Sequence, residues 1–163
     1  MSRPLIYGQV AGSQAMIDMP IGASEYFYNL SGHFVKPDGS GRMEIAGATD
    51  VNIIGWMERG IEGICSTTEG LDVGGVNVAK DAVYEIRAVG TAGAAVTEAT
   101  LKAAIGETCD IQMVDTYYQC ASLVASAVDI LLIVGYRYYG SAAGQQSALV
   151  MINWGKVVNT GVA

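Results

Sequence analysis

From Tyr26 to Trp154 the chain repeatedly alternates apolar and polar residues with a period of two, and glycines interrupt the alternation at short intervals. A period of two sends successive side chains to opposite faces of an extended backbone, so these segments fit strands and not amphipathic helices. Tyr26, Tyr28, Leu30 and Phe34 fall on one face, and Asn29, Ser31 and His33 on the other. Pro37-Asp38-Gly39-Ser40-Gly41 then reads as a turn, because proline presets φ and glycine accepts positive φ. Arg42 to Ala46 resumes the alternation, so 26–46 is expected to be a hairpin. Further strands are expected at Val51–Trp56, Ile61–Ser66, Val76–Ala79 and Ala82–Val89, with Glu69–Gly75 as a loop. In Ala82–Val89 the pattern turns Tyr84, Ile86 and Ala88 inward and Glu85 and Arg87 outward.

One helix interrupts the strands. Thr97 can cap its start, Glu98 suits the positive end of its dipole, and Gly106 can end it. Leu101, Ala104 and Ile105 form its apolar stripe. Strands return at Thr108–Val114, Tyr117–Leu123, Ile130–Tyr138 and Ala148–Trp154, the first two meeting at Asp115-Thr116 as in a tight hairpin. Ile130 to Val134 is apolar at every position, which predicts a strand buried on both faces. Tyr84, Ile86, Ile111, Ile133 and Ile152 are the expected core. Roughly eight to ten strands with one helix predict a mainly β fold, an antiparallel sandwich or barrel. Residues 1–24 lack the period, and Gly8, Gly12, Pro20 and Gly22 break it. They read as an extended N-terminal arm before a single β domain over 25–163; the alternative is a strand along the sheet edge.

A chain of 163 residues has the length of one domain and can bury a core without metal or disulfide help. Charged residues make up 15% of it, against about 25% in an average soluble chain. So few charges suit a protein that hides part of its surface in contacts, which favours an oligomer. The net charge is −7 and the basic residues are scattered, which disfavours nucleic acid and anionic membrane surfaces as partners. Three cysteines without a CxxC spacing, and no secretory pattern at the start, suggest folding in a reducing cytoplasm with free, buried thiols. A Cys109–Cys120 bridge is the less favoured alternative.

No arrangement in the sequence supplies reaction chemistry. The single histidine, His33, has Ser31 nearby but no partner acid or oxyanion hole to complete a triad, so it is expected to lie at the surface or an interface. Asp110, Asp115 and Asp129 could meet as paired carboxylates, although turn and strand-edge roles are commoner for aspartate. The glycine-rich loops lack a phosphate-loop ending, and no ligand series suggests a metal or cofactor. The expectation is a protein without catalytic residues that works by contact. Arg137 and Tyr139, within the dense run Tyr136 to Tyr139, are typical interface anchors. Tyrosine-rich faces also bind sugars, which keeps a carbohydrate-binding module as the alternative. Leu5, Ile6, Met16, Met19 and Ile21 are the apolar residues of the arm and the other candidate contacts.

The run Ala46-Gly47 to Asp50-Val51 followed by Asn52-Ile53-Ile54-Gly55-Trp56 resembles the core of the capsid decoration (cement) proteins of tailed viruses. Val76-Asn77-Val78 through Val83-Tyr84-Glu85-Ile86 is similar to their next strand segment, and Leu101 to Ile111 to their helix-glycine-strand passage. The resemblance covers roughly residues 42–154 and lies in pattern more than in fixed residues. It implies a β-rich protein, made in the host cytoplasm, that binds the outer capsid surface and stabilises the shell. Its partner would be the major capsid protein, and trimers at local three-fold positions are common in such proteins.

Overall fold

The computed structural model describes residues 8–27, 32–58, 63–64, 67–114, 118–124 and 127–158. Of these residues 44% are in strands and 7% are helical, so the fold is mainly β. In chain order the strands are β1 (Gly8–Ala11), β2 (Met16–Pro20), β3 (Tyr26–Phe27), β4 (His33–Pro37), β5 (Met43–Ile45), β6 (Gly55–Met57) and β7 (Gly63–Ile64). They continue with β8 (Val73–Asn77), β9 (Val83–Val89), β10 (Thr108–Met113), β11 (Gln119–Ser122), β12 (Leu131–Tyr138) and β13 (Gln146–Ile152). Helix α1 (Glu98–Ala103) lies between β9 and β10.

Five strands close into a ring in the order β9, β11, β10, β12, β13, with β13 pairing back onto β9. All contacts in the ring are antiparallel except β9–β11, whose parallel pairing needs the long crossover that α1 and β10 provide. One edge of β9 carries two partners in succession, β1 opposite residues 83–85 and β11 opposite 87–89. So small a ring is filled by its own side chains. Its interior holds Tyr84, Ile86 and Ala88 of β9, Ile111 of β10, Leu131 and Ile133 of β12, and Ala148, Val150 and Ile152 of β13, all buried. The expected core residues therefore all lie in the core. Val134 is exposed, so Ile130–Val134 is not covered on both faces. Beyond Ile133 the strand carries a register shift and its outer face opens to solvent.

Helix α1 starts as its sequence requires. The Thr97 hydroxyl accepts from Thr100 N at 3.1 Å, a cap that contributes about 1 kcal/mol. Leu101 is buried against the ring, and Gly106 follows the helix with φ +89°. Ile105 is exposed, because the helix has already ended at Ala103 and its side chain no longer follows the helical stripe.

The other large sheet has the order β2-β8-β6-β4-β5. It curls until its ends nearly meet: Ile21, just past β2, bridges to Met43 of β5, and Gly22 N donates to Met43 O at 2.9 Å. Inside the curl lies a second core of Ile21, Phe27, Val35, Met43, Met57 and Val76. Gly74 belongs to this packing, since a Cβ there would stand 2.5 Å from Met43 Cε and 2.6 Å from Met57 Sδ. The opposite face meets the ring through three aromatics. Trp56 stacks on Tyr84 at 4.9 Å, and Phe34 meets both edge-on. Gln119 of β11 adds a polar link across the same junction. Its carboxamide accepts from Phe34 N at 2.7 Å and donates to Phe34 O and Ala46 O, as a neighbouring strand's peptide would.

Several local expectations are corrected by this second core. Of residues 26–34, Tyr26–Phe27 pairs with Gly63–Ile64, His33 and Phe34 open β4 and pair with β6, and 28–31 lie outside the described residues. His33 is not a surface histidine. It is 1% exposed and meets the Phe27 ring edge-on at 5.5 Å, because β4 is an inner strand with cores on both sides. Val51–Trp56 contracts to Gly55–Met57, and the expected 69–75 loop already enters β8 at Val73. The Asp115-Thr116 turn lies outside the described residues, although β10 and β11 pair antiparallel as a hairpin would. Cys109 and Cys120 are buried and not bridged to each other; Cys65 lies outside the described residues.

The described part of the N-terminal stretch is not a free arm but two edge strands, β1 on the ring and β2 on the curled sheet. Asn77 holds the link between them. Its Oδ1 accepts from Ala15 N and Ala79 N at 3.0 Å, and its Nδ2 donates to Gln9 Oε1 and Ser13 O. Asp81 accepts from the Ser13 amide and hydroxyl, which hold its carboxyl below the usual aspartate range. Gly12 must be glycine here: its φ is +84°, and a Cβ would lie 2.1 Å from Asp81 O.

Candidate functional site

Two surfaces stand out once the cores are filled. The first runs along β2 and β8. In antiparallel register Met16 faces Asn77, Asp18 faces Gly75 and Pro20 faces Val73. Gly75 leaves a shallow floor on this face, and the Met16 side chain lies across it. Met16 is 49% exposed, Val73 55% and Leu71 68%, with Ile17 also exposed. Among the described strands β2 is an edge of its sheet, so apolar side chains and a strand edge occur together there. Asp18 is the one charged residue of β2.

The second surface is the outer face of the ring, where β9, β13 and β12 lie side by side. Glu85 points outward as expected but is only 4% exposed, because Arg137 and Tyr139 close over it. Its Oε1 accepts from Ser147 Oγ at 2.6 Å and from the Tyr139 hydroxyl at 3.0 Å. Its Oε2 accepts from Arg137 at 2.8 Å. A buried carboxylate is tolerable when three donors surround it, and this one fixes both anchors in place. The Tyr139 hydroxyl and the Glu85 charge together raise the Arg137 pKa. Tyr136 and Tyr138 pack against the ring core, and the Tyr136 hydroxyl donates to Glu98 of α1 at 3.3 Å.

The structure sorts the sequence-derived contacts plainly. Met16, Arg137 and Tyr139 are exposed, and Met19 is half-buried against the second core. Ile21 is not available to a partner, because it fills the second core. Leu5 and Ile6 lie outside the described residues, as does Asp115. Asp110 accepts from the amides of Ala127, Val128 and Asp129, and Asp129 accepts from Thr108 Oγ1 at 2.7 Å, so both brace one loop. Sequence reasoning missed Leu71 and Val73, hidden in a stretch read as loop, and the joint role of Glu85, Ser147 and Arg137. Only strand register brings those last three together.

A cavity of about 250 Å³ lies between α1 and the ring, lined by Thr100, Ala103, Ala104, Glu107, Thr108, Leu123 and Ile133. Among the described residues no three His, Cys, Asp or Glu side chains gather as metal ligands, and no helix is long and apolar enough to cross a membrane. Family models, curated proteins and solved structures gave no match to this chain.

Proposed function

We propose that this chain is a virion structural protein that decorates the outside of an icosahedral shell and stabilises it, with the major capsid protein as partner. The observation that carries the reading is the exposed apolar strip of Met16, Leu71 and Val73 beside a strand edge. Apolar area of this kind gains free energy when a partner covers it, and a strand edge can add main-chain hydrogen bonds. A protein that binds assembled shells and not free subunits shifts the equilibrium toward the assembled state. The net charge of −7 suits an exterior position, away from packaged nucleic acid. In this reading the chain acts as a homo-oligomer, a trimer by its resemblance to decoration proteins, and no cofactor takes part.

The test is cosedimentation with shells assembled from the major capsid protein encoded in the same genome. Wild-type protein should sediment with the shells and raise their heat resistance. A Met16→Glu, Val73→Glu double variant should stay folded, since both side chains are exposed, and should remain in the supernatant. Shells that bind no wild-type protein, or a genome that encodes no shell protein, would overturn the reading.

A further inference from the structure

Among the described residues Arg87 has no ion-pair partner. It lies on the outer face of the ring, opposite Ser147 of β13 and Cys120 of β11. Its Nε is buried with no hydrogen-bond partner. The ion pairs among the described residues engage Lys36, Arg42, Arg137 and Lys156 but not Arg87. The nearest carboxylate on the same strand face, Glu85, already holds Ser147, Tyr139 and Arg137. Gly144 lies over the guanidinium, and a Cβ there would stand 3.9 Å from Nε. Gln146 pins the covering loop by donating to Gly140 O and Ala142 O.

Arg137 faces Ser147 from the other side, so the two arginines flank one serine across adjacent strands. Two guanidinium groups and one carboxylate leave a single positive charge, on a chain whose net charge is −7. The buried Nε is out of a ligand's reach, but the terminal guanidinium nitrogens are not among the buried atoms, and a charge-assisted bond from them to an anion would balance the charge. One residual charge matches a monoanion better than a phosphate dianion, which would add net negative charge to an acidic surface. Beside the arginines the Tyr139 ring is 50% exposed, and its hydroxyl is tied to Glu85. A ring held in this way offers a flat apolar face at little entropic cost.

We infer that Arg87, Arg137 and Tyr139 form a binding site for a carboxylate-bearing sugar. The arginines take the carboxylate, and the tyrosine ring takes the C–H face of the pyranose.

The inference can be tested by NMR titration of the full chain with glucuronate, glucose, acetate and inorganic phosphate. Glucuronate should shift the amides around Arg87, Tyr139 and Gly144 with a Kd of about 1 mM. Glucose and acetate should bind at least about tenfold more weakly, since each lacks half of the recognised group. Arg87→Gln should weaken glucuronate about tenfold without unfolding the chain, because no ion pair among the described residues engages Arg87. Tyr139→Ala should weaken it comparably, while Tyr139→Phe keeps the ring and most of the affinity. Absence of shifts at about ten times that Kd, or an Arg87→Gln protein that binds as the wild type does, would overturn the site. Acetate binding as tightly as glucuronate would overturn the sugar, and tighter phosphate would overturn the carboxylate.

Discussion

Replacing Asn77 by alanine should show that the N-terminal strands belong to the fold. The side chain is fully buried and makes four hydrogen bonds, two of them to backbone amides. The Ala79 amide is buried and would lose its acceptor outright, at a cost of about 2 kcal/mol. The Ala15 amide is partly buried, so water would replace part of its lost bond and the cost falls to about 1 kcal/mol. Loss of the bonds to Gln9 and Ser13 adds a few tenths more, since both partners reach solvent. The sum is about 3 kcal/mol, a large fraction of the 5–15 kcal/mol typical of a domain. Urea unfolding should therefore show a midpoint lowered at unchanged slope. Hydrogen exchange should speed most at the Ala15 and Ala79 amides and along β2, and least within β12 and β13. A loss below about 1 kcal/mol, with β2 protection intact, would refute the reasoning.

Other perturbations probe the cores. Tyr84→Phe should leave stability unchanged or raise it by about 1 kcal/mol, because the Tyr84 hydroxyl is buried without a partner; a loss above that in thermal unfolding would contradict this. Ile133→Ala should cost about 2–5 kcal/mol, since Ile133 fills the ring and its removal leaves a cavity; denaturant titration would measure it. Burial first, then the charges of Asp110 and Asp129, push the Cys109 thiol up to about 12. In a Cys65→Ser background Cys109 should resist thiol reagents at pH 8 until the chain unfolds. The unfolded thiol ionises near 9.0, so this group's contribution is intact below that pH and declines as pH rises from there toward the folded value. Fast labelling of Cys109 in native protein, or unfolding midpoints that do not fall between pH 9 and 11, would contradict the assignment.

Strand identity was legible where one face of a strand is apolar and the other carries polar residues. β9 is such a case, and its inward residues Tyr84, Ile86 and Ala88 follow from alternation alone. The Thr97 cap and Gly106 stop were also legible, because both act within a few residues of chain. His33 was not, because period two tells which residues share a face but not whether both faces are covered. The same limit hid the burial of Glu85, which depends on Arg137 and Tyr139 arriving from a strand about fifty residues away. The exposed strip on β8 escaped notice because Gly74 and Gly75 carry no side chain and so erase the alternation where it would be read. Ring closure lay beyond reach, since the β9–β13 pairing joins segments about sixty residues apart and no turn signal announces it.

That closing pair has a consequence for how the chain is made. β13 is the last of the described strands, so the ring cannot be completed until residues 146–152 have left the ribosome. The curled sheet needs nothing beyond Asn77 for its own strand pairings and can form first. Until β13 arrives, the emerging β9 has one edge bare and its apolar face uncovered. Distant pairings of this kind fold slowly and leave unfinished chains prone to join one another. Truncation into β13 should therefore harm yield more than an equal loss from an exposed loop, through aggregation of nascent chains more than through any contact missing from the finished fold.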